Sequence, residues 1–594
     1  MKLSDYIAYF LKKQGIRHVF AVTGGAAAHL IDSVARAKGI EYICMQHEQA
    51  CAMAADGYSR ATGNLGAAIS TSGPGATNML TGVCCSYYDS VPTLFITGQV
   101  STFRCKGNLG IRQLGFQETD VVEIFRPVTK YAVKVHDAGR IRYELEKALF
   151  FAKSGRPGPV LVDIPDNLQR QEIDPDSLAS FRPPKIRAAN AAFQKQIAAC
   201  AGMLHKAQRP VIILGWGVYL AGAEKEALRF VEELRVPVVP TWAMRYLFPE
   251  NHPFLVGPFG THGSRYGNFA VQNADLILAV GARLDTREAG SPFSTFARGA
   301  RKIVVDVDIH ELKKFKAFGA AIELLINQDA KEFFSAMDKR IQQAAPEDIR
   351  DWVNKIKLWK KKYPVCTQQA LKEKKVNPYA FVKRLSERLS EGDTIFLDTG
   401  CSVAWMSQGF EFKKKQRLFS AFNNTPMGYA LPAAIGASFA LEKKRIICVT
   451  GDGGLQMNIQ ELATVLRHDL PVKIFLINNH GYSMIKQTQD QWFSGRYVAS
   501  TVESGLAFPD FIKVAKAYGY KTVRITAQSN LAAGIIETLE TDGPVFCNVE
   551  VHTDEKVLPQ VKFGRAIEDS EPLLDRDEFM KAMIVAACES SAAQ

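Results

Sequence analysis

Two short segments carry residue types that gather charge at the end of a strand. Gly451-Asp452-Gly453-Gly454 follows the apolar run 446–450, and Asn478-Asn479-His480-Gly481 follows the apolar run 472–477. Between them lies a helix-like stretch with apolar Met457, Ile459, Leu462, Val465 and Leu466. A strand–helix–strand unit runs its two strands parallel, so both carboxyl ends open at one sheet edge. Asp452 and Asn479, 27 positions apart, are brought together there. One carboxylate, one amide oxygen and a backbone carbonyl, that of Gly481, suit a hard cation such as Mg²⁺, which keeps sites for phosphate oxygens and water. The glycines let the backbone approach phosphates, and the helix start after Gly453 favours their charge. Each segment alone reads as an ordinary turn. At the ends of consecutive strands, the pair points to a metal–diphosphate site.

Strand-like and helix-like runs alternate along nearly the whole chain, the pattern of parallel sheets covered on both faces. Strands are expected at 19–22, 42–45, 67–70, 93–97 and 160–163, then at 211–214, 238–239, 276–280 and 303–307. A third set falls at 394–397, 417–420, 446–450, 472–477 and 545–549. The fold class is therefore α/β, with three doubly wound parallel-sheet domains at 1–180, 190–345 and 375–555 and a C-terminal tail at 556–594. The proline- and base-rich segment 183–189 reads as a linker, and the polar, basic stretch 345–375 as the next connection.

The 594 residues are 47% hydrophobic and 23% charged, which excludes disordered, collagenous and coiled-coil classes. The net charge of +12 is spread out, and the runs 360–362 and 413–415 lack the aromatic interleaving of a nucleic-acid face. They read as solvated surface, and no nucleic-acid partner is expected. The uncharged run 61–88 is broken by glycines, Pro74 and Asn78, so no membrane span is expected. Eleven cysteines without a CxxC pair make neither a disulfide framework nor a zinc ribbon. A cytoplasmic protein is expected.

The Gly-Asp-Gly and Asn-Asn segments, with 24 residues between Gly453 and Asn478, resemble the signature of thiamine diphosphate enzymes. Further phrases narrow the resemblance to the acetohydroxyacid (acetolactate) synthase group. They are His47-Glu48-Gln49-Ala50, Thr71-Ser72-Gly73-Pro74-Gly75-Ala76-Thr77-Asn78, Gly115-Phe116-Gln117-Glu118-Thr119-Asp120, and Ser154-Gly155-Arg156-Pro157-Gly158-Pro159. Met427-Gly428 before Leu431-Pro432-Ala433-Ala434, and Gln456-Met457-Asn458-Ile459-Gln460-Glu461-Leu462, extend it over nearly the whole chain.

The resemblance implies pyrimidine-binding, central FAD-type and diphosphate-binding domains in that order. It implies that Glu48 bonds the aminopyrimidine of thiamine diphosphate and promotes loss of the thiazolium proton. Read on its own, Glu48 is a helix first-turn acid. Thr23, Gly24 and Gly25 would pass the pyrimidine, Gln117 and Phe116 would line the reacting carbon, and Met427 would bend the cofactor. Gly451, Gly453, Gly454, Gly481 and Tyr482 would join Asp452 and Asn479 around the diphosphate. The family builds each site across a subunit interface, which implies at least a homodimer and leaves a dimer of dimers and a regulatory subunit open.

In the central domain the resemblance assigns a non-redox FAD to Gly215, Gly217, Thr261, His262, Gly263, Gly281, Arg283, Asp285, Arg287 and Asp306. Gly215-Trp216-Gly217 lacks the third glycine of a dinucleotide fingerprint. The acceptor pocket departs from the family, with Thr488 where the synthases carry a tryptophan, four residues after Met484. Asp166 replaces a lysine, Thr399-Gly400-Cys401-Ser402 replaces Val-Gly-Gln-His, and Thr261 and Thr286 replace a methionine and an aspartate. Arg287, which grips the acceptor carboxylate in the synthases, is retained. A widened, more hydroxylated pocket is expected. The leading expectation is a carboligase that decarboxylates pyruvate and transfers the two-carbon unit to a carbonyl acceptor. The alternatives are a bulkier ketone acceptor such as a nucleotide-linked keto sugar, a pyruvate oxidase or decarboxylase, and a catalytically silent scaffold.

Overall fold

A strand buried on both faces is mostly apolar; Leu276–Val280 is so throughout, and Val472–Asn478 is so apart from its terminal Asn478 and Lys473, whose ammonium donates to the Thr541 and Gly543 carbonyls. A computed structural model describes residues 1–184 and 191–592 and assembles such strands into three parallel sheets. The first contains β1 (His18–Ala21), β2 (Glu41–Cys44), β3 (Gly66–Ser70), β4 (Thr93–Gln99), β5 (Tyr131–Lys134) and β6 (Val160–Pro165), in the order β2-β1-β3-β4-β6-β5. The second contains β7 (Pro210–Leu214), β8 (Val238–Pro240), β9 (Leu276–Val280), β10 (Arg301–Asp306) and β11 (Leu324–Asn327), in the order β11-β10-β9-β7-β8. The third contains β12 (Thr394–Leu397), β13 (Arg417–Phe419), β14 (Ile446–Gly451), β15 (Val472–Asn478), β16 (Lys521–Ile525) and β17 (Val545–Glu550), in the order β13-β12-β14-β15-β17-β16. Most of the linker expected at 183–189 lies outside the described residues.

Two expectations need correction. The stretch 345–375 is more than a connection, because it contains the helix Arg350–Lys362. Trp352, Ile356 and Trp359 form its buried stripe, and the Trp352 indole donates to the Pro210 carbonyl. The apolar run after Asp452 is not one helix but Asp452–Met457, a 3₁₀ turn Ile459–Glu461 and Leu462–Arg467. Asn458 breaks it by turning its amide onto the Gly428 carbonyl (2.7 Å), which leaves Met457 on the surface. The C-terminal tail is held on the body of the fold as a strap. Lys556 accepts from the Trp405 indole, Val561 donates to Thr261, and Ile567 and Ser570 accept from Asn268 and Arg265.

The first and third sheets meet through two helices of small residues, Glu48–Thr62 and Ala430–Ala440. A Cβ on Gly57 would stand 2.2 Å from the Ala433 carbonyl oxygen, so the backbones touch. Beside this contact Arg60 is wholly buried. Its guanidinium pairs with Asp56 (2.6 Å) and Asp89 (2.9 Å), and the Tyr429 hydroxyl also donates to Asp56 (2.6 Å). Asp89 in turn accepts from the backbone N–H groups of Phe422 and Asn423, on the segment leading to Met427. Arg60→Ala would leave two buried carboxylates without a counter-charge, and a loss of about 3–5 kcal/mol is expected. A strongly lowered thermal midpoint in differential scanning calorimetry would register it. Among the described residues, no helix is long and apolar enough to cross a membrane.

Candidate active site

The register of β14 against β15 pairs Gly451 with Ile477, so Asp452 and Asn479 emerge side by side. Asp452 is 3% exposed, and its Oδ1 accepts from the Gly453 N–H (2.7 Å). Its Oδ2 accepts from the N–H groups of Asn479 (3.2 Å) and Gly481 (3.3 Å). Burial nevertheless pushes its carboxyl up to about 6. The Asn479 amide oxygen faces Asp452 Oδ2 at 3.2 Å and the Gly481 carbonyl at 2.7 Å. Turned over, the amide would instead donate to both oxygens. Neighbouring oxygens around an octahedral Mg²⁺, each 2.0–2.1 Å from the ion, stand about 3 Å apart. In either orientation a carboxylate, an amide and a backbone carbonyl meet here, the donor types that a hard divalent ion takes.

Glycine is required beside this cluster. A Cβ on Gly453 would lie 2.3 Å from the Tyr482 ring and 2.8 Å from Met427 Cε, and one on Gly454 would lie 2.7 Å from Asp398 Oδ2. The cavity they border, about 1260 Å³ and open to solvent, takes in Met427, Asp452, Gly451, Tyr482, Thr399 and Met484 from the third sheet. Trp242, His262 and Arg287 reach it from the second sheet.

Asp398, which sequence reasoning missed, organises this wall. It sits just past β12 and accepts from the N–H groups of Thr399 (2.9 Å) and Gly428 (3.0 and 3.2 Å) and from the Thr450 hydroxyl (2.8 Å). It therefore fixes the loop that carries Met427 against the strand that carries Asp452. Its signal was available, since Asp398-Thr399-Gly400 closes a strand just as Gly451-Asp452-Gly453 does. Burial raises its carboxyl from 3.8 to about 6, opposed by those donors. Between these values the folded state holds the proton and the unfolded chain has lost it, so stability falls as pH rises from about 4 to about 6 and then levels. The difference in urea stability between wild type and Asp398→Asn, both without cofactor, is expected to change by about 3 kcal/mol over that interval.

A second rim forms at the carboxyl edge of the first sheet. Glu48 opens its helix, with His47 as the N-cap, and its Oε2 accepts from the Asn78 amide (2.9 Å). Gly75 faces Glu48 Oε1 and the Thr71 methyl, and Gly24 packs so closely on Thr71 that a Cβ would fall 2.5 Å from it. Gln117 has φ +63° and lies against Gly73. Phe116 is 85% exposed. Thr23, Gly24, Gly25, Glu48 and Gln117 are thus gathered on one rim, yet among the described residues none from the first sheet lines the Asp452 cavity.

The second sheet carries two hollows of about 640 and 660 Å³ that share Trp216, Gly281, Arg283 and Asn423. One reaches His262, Asp285 and Arg287, and the other reaches Gly217 and Asp306. Gly215 and Gly217 pack on the loop after β9, where a Cβ on Gly215 would be 2.3 Å from the Gly281 carbonyl. Their glycine character therefore serves loop contact first. Thr261 and Gly263 stand behind the hollows and line neither. His262 is pushed down to about 4 by burial and by Arg287, so it stays neutral. Its Nε2, the Trp216 indole N–H and Glu288 Oε2 are buried without a hydrogen-bond partner. A groove with such unpaired polar atoms fits a polar ligand lying along both hollows.

Among the residues expected at an acceptor pocket, Arg287, Thr399 and Met484 line the large cavity. Thr488 does not, and its hydroxyl donates to the Met484 carbonyl (3.1 Å) in its own helix.

Three family models match the chain. They are the N-terminal TPP-binding domain of thiamine pyrophosphate enzymes over residues 1–124, the central domain over 197–337 and the C-terminal TPP-binding domain over 398–549. The acetolactate synthase large subunit of Cyanidium caldarium is 34% identical over 563 residues, covering 94% of each chain. The acetolactate synthase isozyme 3 large subunit of Escherichia coli (strain K12) is 34% identical over 577 residues, covering 94% of this chain and 97% of that one. With three parallel sheets in matching order and a diphosphate-type cavity at the third, the chain belongs to the thiamine pyrophosphate enzymes of the acetolactate synthase type, which use thiamine diphosphate to form carbon–carbon bonds.

Proposed function

We propose that this carboligase takes pyruvate as donor, releases CO₂ and joins the remaining two-carbon unit to a carbonyl acceptor, with a second pyruvate as the first candidate. When bound, thiamine diphosphate supplies a carbon nucleophile and an electron sink for the pair left by departing CO₂. Asp452, Asn479 and the Gly481 carbonyl would hold Mg²⁺ and through it the diphosphate, with Gly451, Gly453, Gly454 and Tyr482 shaping the cradle. Met427 would pack against the cofactor. Glu48 holds a proton at its carboxyl against the pyrimidine ring, and Thr23, Gly24 and Gly25 flank that ring.

The observation that carries the reading is the meeting of the Asp452 carboxylate, the Asn479 amide and the Gly481 carbonyl at the floor of a cavity that Met427 and Gly453 also line. Glu48, Gln117 and Phe116 serve the cofactor of a second copy, and the exposed Phe116 ring supports this, because it lies outside its own chain's cavity. A homodimer is therefore the smallest active unit. The groove at the second sheet takes FAD, with no redox role, between the Asp306 and His262 ends. The relatives' designation as large subunits makes a smaller companion subunit a partner to test. Arg287 has no carboxylate partner among the described residues, which favours an acceptor bearing an anionic group.

The test is purified protein with thiamine diphosphate, Mg²⁺ and FAD, fed ¹³C-labelled pyruvate alone or with added ketones and followed by NMR. Labelled acetolactate supports the reading. Dioxygen consumption without a new carbon–carbon bond would replace it with an oxidase. Rapid transfer only to an added keto sugar would move the acceptor to that class.

A further inference from the structure

We propose that Trp242 sets the acceptor size limit: its indole closes the second-sheet wall of the cavity, selecting short anionic keto acids over longer or bulkier carbonyl compounds. This rests on the carboligase reading and adds the residue that discriminates between acceptors.

Trp242 stands at the end of β8, on a backbone fixed by the Thr241 N–H donating to the Leu214 carbonyl (2.9 Å) and the Met244 N–H donating to the Thr241 carbonyl (2.9 Å). From there it borders both the large cavity and the hollow that reaches Glu288, and with His262 and Arg287, which also line both, it forms the wall between them. The ring is held on several sides. The His262 and Phe422 rings lie 6.3 and 6.5 Å away, centroid to centroid, and the Arg287 guanidinium lies 5.4 Å from the indole centroid. That last contact attracts the cation to the ring face and leaves the guanidinium edge free to bind a planar anion in two-pronged fashion.

An acceptor anchored by a carboxylate on Arg287 therefore has the indole beside it. The Trp242 ring limits how far the rest of that molecule can extend, because it is the bulky apolar side chain in the wall that also carries Arg287. Thr488, the position expected to widen the pocket, cannot act in this way, since it does not line the cavity and its hydroxyl is engaged within its own helix. The bulky apolar wall is supplied by the second sheet. Discrimination by an apolar wall is worth about 10–200-fold per methylene, which sets the size of the effect.

The experiment uses holoenzyme variants Trp242→Ala, Trp242→Leu, Trp242→Phe and Thr488→Ala, with pyruvate, 2-oxobutanoate and 2-oxohexanoate as competing acceptors. The reading is the ratio of kcat/KM values, and CO₂ release from pyruvate with an artificial oxidant reports the donor half-reaction. Trp242→Ala and Trp242→Leu are expected to raise the 2-oxohexanoate to pyruvate ratio by about tenfold or more, with donor turnover within about threefold. Trp242→Phe is expected between them and wild type, and Thr488→Ala is expected to leave the ratio within about twofold. Visible absorbance of bound flavin shows which variants keep the groove intact, and Trp242→Phe and Trp242→Leu carry the test if the alanine variant does not fold. Unchanged ratios in all folded Trp242 variants, or a shift produced by Thr488→Ala instead, would overturn the assignment. A wild-type enzyme that ligates no acceptor would sink the carboligase reading itself, a result distinct from unchanged ratios in an active enzyme.

Discussion

Glu48→Gln is expected to bind thiamine diphosphate within about threefold of wild type and to lose about 10²–10⁴ in turnover, the range for removing a positioned proton-transfer group. The substitution preserves shape. Glu48 Oε2 accepts from Asn78 at 2.9 Å, and Oε1 faces Gly75, so a carboxamide fits the same space. What it removes is a group able to hold and release a proton against the cofactor ring. Calorimetric titration with cofactor separates binding from turnover, and CO₂ release measures the latter. Full activity in the variant would return Glu48 to the role of a helix first-turn acid. A dead variant that no longer binds cofactor would assign it to binding alone.

Asp452→Ala is expected to abolish Mg²⁺-dependent cofactor binding, by about 100-fold or more in affinity, since even outer partners of a metal ligand cost 10–100-fold. Asp452 supplies the only formal charge among the three converging oxygens, and its Oδ2 also receives the Asn479 and Gly481 N–H groups. Alanine therefore removes a ligand and releases the turn that presents the other two. Titrating thiamine diphosphate with and without Mg²⁺ tests this, and binding that remains Mg²⁺-dependent with unchanged affinity would contradict it. The two variants also test each other. Glu48 and Asp452 do not share a cavity within one chain. If each site joins two copies, mixing the two inactive variants restores activity, to about one quarter for random pairing with one intact site in each mixed dimer. No recovery after co-refolding would mean that Glu48 and Asp452 serve one site from the same chain.

The sequence exposed the interior of the fold and half of its edge strands, β2, β8 and β13. Expected and observed strands coincide wherever a strand has neighbours on both sides. The strands that were missed, β5, β11 and β16, all lie at sheet margins. There one side meets solvent and the residues no longer form an apolar run, as in Lys521–Ile525, which alternates with exposed Lys521 and Arg524. The helix Arg350–Lys362 was hidden in the same way, because a lysine-rich surface masks the stripe of Trp352, Ile356 and Trp359.

Within the candidate site, sequence alone determined that Asp452 and Asn479 meet, since parallel strands joined by a helix must open at one edge. It also indicated where Glu48 stands, at the start of a helix after β2. Only the tertiary structure decided that Asp398 ties the Met427 loop to β14, that Thr488 turns away, and that Trp242 crosses from the second sheet to close the cavity. The physical reason is range. Strand direction and helix starts are set by neighbours in sequence, whereas a cavity wall is set by which side chains meet after separate sheets pack, and no local pattern encodes that meeting.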